Sequence, residues 1–419
     1  MIEATKKRLP TTLLLLCIYL TVFSNFLSSW IPSFAGFSFG GIARDFAVFL
    51  FYAIVVTFSR RLAAGRYYFT LLITVFFLVF YTLVLIADAS NISTAILGAR
   101  NFLLFCTFGV CSHMAIEGKF VNVPVVVKHI VFIAFLLSAL GISEVVTEGA
   151  SLEWLGYRKD FADFDLFNLV AGYLGYTRAT AGVGDSLNFG YLMAFLSIFL
   201  LFDRHLDKTL LKRSVTFACF GLASLSVFLS LTRGALLVWL LGVLAYLMFR
   251  VKLSRVVLVC CIGASLVPFA LTTEYGDLLL NKFFGGEKYA TESSEMRVDM
   301  ARESIQILST NPLGIGLGSQ GAGLKFAASD TRVNTDNFFF IVFLEWGIIG
   351  FLFISVLYFL LLTRALKFGA GYAAFMSLAF LISGMLSSAL TSPLVAFFFW
   401  LCMSLGSFSG KYYFGRDEN

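Results

Sequence analysis

Charge is scarce in this chain, and what there is lies scattered. Asp, Glu, Lys and Arg make up 13% of 419 residues, apolar residues 59%, and mean hydropathy is +0.88. That balance leaves too little polar surface to cover a soluble globule of this length, so water is not the expected solvent. The formal net charge of +6 comes in short clusters between apolar runs and not as one basic block, which argues against a nucleic-acid partner and for membrane topology. Proline is rare as well: six residues serve the whole chain, so few apolar runs look broken. No internal repeat suggests an inverted-repeat transporter. The seven cysteines, Cys17, Cys106, Cys111, Cys219, Cys260, Cys261 and Cys402, all lie inside apolar runs without pairing or zinc-like spacing. Neither a disulfide framework nor a metal site is expected, and no cofactor is implied.

What is present is a series of long apolar runs. A span needs roughly 20 apolar residues to cross about 30 Å of hydrocarbon. About twelve candidates lie near 11–30, 45–59, 67–87, 95–116, 125–146, 186–203, 214–232, 234–250, 256–273, 337–363, 371–388 and 392–409. The first follows Lys6, Lys7 and Arg8 without a small-residue cleavage site, so it is expected to be a retained span. The break at Thr232-Arg233-Gly234 is short enough to predict a tight helical hairpin from the seventh and eighth spans. With the N-terminus inside, the inner segments hold 19 of the 31 Lys and Arg residues, whereas the short outer segments 31–43 and 389–392 hold none. The expectation is an all-α polytopic membrane protein, one transmembrane domain over 1–419, with both ends cytoplasmic.

Two expected outer segments are long, 147–185 and 274–336. Loops of that length are usually functional or disordered. In the second, Ser294 is a possible cap for a helix from Glu295 to about Leu308, with Met296, Met300 and Ile307 as its apolar stripe and Asn311-Pro312 as its end.

The outer segments are unusual for their arginines. Arg178 precedes the sixth span, Arg233 sits at the tip between the seventh and eighth, and Arg297 and Arg302 lie on the loop helix. A guanidinium is always charged and grips phosphate through a planar fork, so several converging on one cavity suit a phosphate-bearing ligand. Taken singly, each has a plainer reading, a snorkelling side chain or a pair with a loop carboxylate such as Asp299 or Glu303, and that reading suits Arg302 better than Arg233, which stands in a near-continuous apolar stretch. Arg100, near the start of the fourth span, is a weaker candidate of the same kind. Two acids complete the set: Asp336 at the entrance of the tenth span, and Glu345 about two and a half turns further in. An intramembrane acid faces protein or water and marks a possible site, with a structural ion pair as the competing account. Asp336 is also a candidate helix N-cap. The three histidines, His113, His129 and His205, fall in or near inner segments. Tyr173, Tyr176 and Phe338, near the outer interface, are candidates to stack on sugars or an isoprenoid chain.

Three stretches resemble the O-antigen polymerase and O-antigen ligase superfamily of bacterial membrane glycosyltransferases. They are Arg178 to Gly190 (RATAGVGDSLNFG), Ser230-Leu231-Thr232-Arg233-Gly234-Ala235, and the pattern from Arg297 through Asn311-Pro312-Leu313-Gly314-Ile315-Gly316-Leu317-Gly318 to Asp336-Asn337 and Glu345-Trp346-Gly347-Ile348-Ile349-Gly350. The likeness covers the second half in detail and the first half in topology. It implies a metal-independent transferase of the GT-C type at the outer (periplasmic) face of the plasma membrane. Its partners would be undecaprenyl-diphosphate-linked oligosaccharide, membrane lipid and a chain-length regulator protein. Arg178, Arg233 and Arg297 would then hold the diphosphate, and a basic group would activate the acceptor hydroxyl. Ligases of the group resemble one another in a histidine before the Asn that opens the tenth span. Asp336 stands there in this chain, which favours a polymerase joining repeat units to one another over a ligase acting on a lipid A core-type acceptor. A transporter of lipid-linked sugars is disfavoured, because its charged groups should lie near the midplane between broken helices and here they gather at span ends. On the polymerase reading, Asp336 or Glu345 takes the acceptor proton. Replacing both by the amides should abolish chain elongation in a reconstituted assay, and full activity in the double variant would remove both from the chemistry.

Overall fold

The computed structural model describes residues 2–31, 39–58, 66–89, 91–155, 177–202, 213–250, 288–319, 335 and 337–411, and among these every regular element is helical. A helix satisfies its backbone groups within its own segment, as hydrocarbon requires, where no water can satisfy an open one. In chain order they are α1 (Ile2–Val22), α2 (Ser24–Trp30), α3 (Phe39–Phe58), α4 (Arg66–Ala87), α5 (Ile92–Glu117), α6 (Val123–Val146), α7 (Ala150–Trp154), α8 (Ser186–Phe202), α9 (Arg213–Leu229), α10 (Arg233–Arg250), α11 (Lys288–Thr310), α12 (Phe338–Leu386) and α13 (Pro393–Lys411). Five stretches are long and apolar enough to cross a bilayer: Phe39–Phe58, Tyr67–Ala87, Ile92–Glu117, Val123–Val146 and Phe338–Thr363. Shorter apolar helices accompany them. The ninth expected span, 256–273, lies outside the described residues.

Burial sorts the helices. α8 is apolar on every side, and Tyr191 to Leu196 are all fully buried, as expected of a helix without a polar face. α13 is similar from Val395 to Cys402. α4, by contrast, turns Phe69, Phe76, Phe80 and Leu83 outward, each more than half exposed, the surface a lipid-facing helix presents. α5, α8, α12 and α13 pack about this buried axis. The expected hairpin of the seventh and eighth spans is corrected. α9 packs mainly on α8, α10 packs about equally on α12 and α8, and the two touch each other near the turn, where Trp239 Nε1 donates to Ser224 Oγ at 3.0 Å. Burial of α8's all-apolar surface outweighs the short connection.

α12 is helical over 49 residues, which held straight would be about 74 Å long. Its ends nonetheless meet: Phe338 N donates to Ser387 O at 3.2 Å, and Asn337 Nδ2 to Met385 O at 3.0 Å. The helix therefore runs out and returns, with Tyr358 stacked on Phe380 at 4.3 Å, as expected of spans at 337–363 and 371–388.

The outgoing arm is also broken, which the shortage of proline had argued against. Gly347 lies at φ +64°, and Leu344 O accepts from Ile315 N at 2.7 Å while Ile348 N donates to Pro312 O at 3.0 Å. The backbone bond that would join residues 344 and 348 is exchanged for two bonds to a strap, residues 311–319, that follows α11. Trp346 O, also at the break, accepts from Tyr81 Oη of α4 at 3.0 Å. Glycine makes this break, and the backbone groups it frees find partners, which is the condition for a broken helix at membrane depth. There is no room for more: a Cβ on Gly347 would overlap the Leu313 carbonyl, and one on Gly98 of α5 would overlap Gly318 N. The strap is thus clamped between α5 and the break in α12.

α11 starts well before the expected Glu295, at Lys288, so Ser294 lies within the helix and does not cap it. Lys288, Ala290 and Glu292, all good helix formers, extend it backward. Its end before Asn311-Pro312 is where the sequence places it.

Gly347→Ala should be strongly destabilising: a left-handed alanine costs about 1–2 kcal/mol before any clash, and the Leu313 backbone must also move. Gly221 of α9 has open space where a Cβ would stand, with nothing within 4 Å, so Gly221→Ala should melt at or slightly above wild type. Thermal unfolding of the detergent-purified variants compares the two.

Candidate active site

The arginine-bearing segment before α8 is held by an acid. Glu144, fully buried near the end of α6, accepts from Thr180 N, Thr180 Oγ1 and Ala181 N, each at 2.7 Å. Ala179 N adds a bond to Leu229 O at the end of α9, at 3.1 Å. The backbone turns sharply beyond these contacts, with Ala181 at φ +48° and Gly182 at +68°. The segment then enters α8 through Asp185, whose Oδ1 accepts from Asn188 N at 2.6 Å and whose Oδ2 accepts from Asn188 Nδ2 at 2.9 Å. Sequence reasoning did not single out Glu144. Its signal was present, as a lone acid late in an apolar run.

Residues 177–185 so placed present Arg178 to the turn between α9 and α10. Its Nε donates to Ser230 O at 3.1 Å and its Nη2 to Thr232 Oγ1 at 3.4 Å. Thr232 Oγ1 in turn donates to Ser186 O at 3.0 Å, tying the turn to the first residue of α8. Leu231 takes φ +51° to make the turn, and Arg233 opens α10 directly after it, half-buried. Arg178 and Arg233 are therefore brought together through one short turn, although 54 positions separate Arg178 from its Thr232 contact. Arg297, exposed on α11, lies within electrostatic reach of Tyr191, early in α8. Arg178 and Arg233 thus border the N-terminal turns of α8, where the helix dipole adds further positive potential. Asp185 is the acid beside Arg178. Burial pushes its carboxyl above the usual range, while its Asn188 bond and the charge of Arg178 work the other way.

The remaining candidates lie elsewhere. Arg302 is exposed on α11 and pairs with Asp299 at 3.4 Å, a solvated i,i+3 pair worth little. Arg100 pairs with Asp45 of α3. Glu345 is buried on α12 two residues before the break. Asp336 lies outside the described residues, as do Tyr173 and Tyr176. The cap of α12 is Asn337, whose Oδ1 accepts from Phe339 N at 2.9 Å and Phe340 N at 3.2 Å. Phe338 does not face the outer interface: it is buried and stacked on Phe102 at 5.7 Å, so it serves the core. Among the described residues no three His, Cys, Asp or Glu side chains group as metal ligands.

Among the described residues these features define a helical, polytopic membrane protein in which the segments bearing Arg178 and Arg233 meet at the N-terminal end of a helix buried over most of its length. Residues 218–355 match the model of the O-antigen ligase family. An O-antigen polymerase of Salmonella muenchen is 32% identical to the chain over 393 residues, covering 87% of this chain and 95% of that relative. The chain belongs to the O-antigen polymerase family.

Glu144→Gln replaces an acceptor of three bonds by a group with one acceptor oxygen and an unwanted donor. An unmet buried partner costs about 1–3 kcal/mol. The amides of Thr180 and Ala181 should exchange faster in hydrogen–deuterium exchange, and an unchanged rate would remove Glu144 from positioning residues 177–185.

Proposed function

We propose that the protein joins undecaprenyl-diphosphate-linked oligosaccharide repeat units into O-antigen at the periplasmic face of the plasma membrane, and that Arg178, Arg233 and Arg297 hold the diphosphate. The observation that carries the reading is the anchoring of Arg178 on Ser230 O and Thr232 Oγ1, directly beside Arg233, in a chain of the O-antigen polymerase family. The full architecture proposed is the twelve-span, GT-C-like bundle with both termini inside, the segments 147–185 and 274–336 outside, and a chain-length regulator as partner.

The chemistry asks two things of the protein. The glycosyl–phosphate bond breaks as the acceptor hydroxyl attacks the anomeric carbon, and negative charge builds on the departing diphosphate. Fixed guanidiniums are suited to that charge because they need no reorganisation as it develops. The acceptor proton passes to a carboxylate within hydrogen-bond reach, Asp336 or, second, Glu345. Arg178 is already oriented by two hydrogen bonds, which lowers the entropy lost when phosphate is bound. The ligase-family match over residues 218–355 keeps transfer to a lipid A core-type acceptor as the alternative.

The test is to incubate the purified protein with short lipid-linked repeat units and resolve the glycans on a gel. A ladder of longer lipid-linked chains is expected. Arg233→Ala should reduce its rate by about 10²–10³-fold, the loss typical of one charge-stabilising donor. Glycosylation of an added lipid A core, without any ladder, would overturn the polymerase reading in favour of the ligase.

A further inference from the structure

A second arginine cluster is built on α3 and α5, and among the described residues its charge does not balance. Arg44 of α3 donates from Nε to Asp45 Oδ1 at 2.9 Å, and Arg100 of α5 pairs through Nε with Asp45 Oδ2. One carboxylate thus serves two guanidiniums, and among the described residues no second acid meets either of them. Arg44 is almost entirely enclosed, its guanidinium 5.3 Å from the centre of the Phe105 ring. The Arg100 side chain keeps 24% of its surface open and that of Asp45 16%. An uncompensated positive charge among apolar helices is costly unless an anion or water reaches it.

The surroundings say what kind of anion. On α5, Ile92, Ile96 and Arg100 follow one another at four-residue spacing, and both isoleucines are exposed. On α3, Ile42, Asp45, Phe46 and Phe49 share one stripe, and its three apolar members are exposed too. Residues at such spacing lie on one helix face. The open side of the cluster therefore shares its faces with the apolar surface that meets hydrocarbon. A free anion from water would meet these side chains first, whereas a lipid would lay its chain along them with its headgroup at Arg100.

We propose that Arg100, with Arg44 and Asp45 behind it, is a lateral binding site for the phosphate of a membrane lipid, occupied in turnover by a second lipid-linked saccharide. That occupant rests on the polymerase reading, in which two such molecules react and each carries its own diphosphate. Asp45 acts as a positioning residue that fixes both guanidiniums, and Arg100 is the group that touches phosphate.

The full chain in phosphatidylcholine nanodiscs, titrated with undecaprenyl diphosphate and examined by native mass spectrometry, tests this by counting bound molecules. Wild type is expected to take two, Arg100→Gln one and Arg178→Ala one. Arg100→Lys, which keeps the charge and guards against a folding artefact, should restore the second. Two molecules still bound to Arg100→Gln would reduce the cluster to a structural ion pair and overturn the site. A parallel titration with phosphatidylglycerol separates the sources: equal occupancy of the Arg100-dependent position by that lipid would overturn the second-substrate assignment. Counting needs no turnover, so a failure here is distinct from the absence of a glycan ladder in wild type.

Discussion

The exchange of backbone hydrogen bonds at Gly347 is the constraint on which the polar end of the molecule depends. Leu344 O and Ile348 N give up each other to take Ile315 N and Pro312 O. The swap leaves neither group unmet, so a break inside an apolar helix costs little in unpaired backbone. It also fixes the strap after α11 against α12, and Gly318 then meets Gly98 of α5 backbone to backbone. One end of α11, and with it the helix bearing Arg297, is thereby attached to the bundle.

Glu144 does the corresponding work for the other arginine segment. A carboxylate with three donors at 2.7 Å is fully committed, so its burial is compensated and it cannot also act as a base without releasing residues 177–185. The division of labour among acids follows from such counts. Glu144 positions, Asp45 bridges two arginines, Asp185 caps α8 beside Arg178, and Asn337 leaves the capping of α12 to an amide. The same accounting separates Arg302, spent on an exposed Asp299, from Arg178, which is oriented by a carbonyl and a hydroxyl and lies beside Asp185.

Glycine, and not proline, shapes the functional half. Gly314, Gly316, Gly318 and Gly347 all take positive φ, a region in which side chains are strained. The motifs that carry the family resemblance, with their glycines at Gly314 to Gly318 and at Gly347 and Gly350, are thus the two sides of one crossing. Their spacing in the chain records a contact in space.

Composition and apolar runs determined that the chain is helical and membrane-bound, and where most helices begin and end, because burial of apolar residues and backbone satisfaction in hydrocarbon depend on local sequence alone. The break at Asn311-Pro312 and the turn at Thr232-Arg233-Gly234 were legible for the same reason, since the residues that stop a helix act within a few positions. The site was legible only as a set of arginines and acids whose partners local sequence does not fix. Tertiary structure decided that Arg178 meets Ser230 and Thr232, that Glu144 holds the segment beside it, that Asp45 joins Arg44 to Arg100, and that α8 runs between α9 and α10. Nearly all of these contacts join residues far apart in the chain, and whether a charge is spent on a partner or left for a ligand is fixed by what packing brings within hydrogen-bond reach.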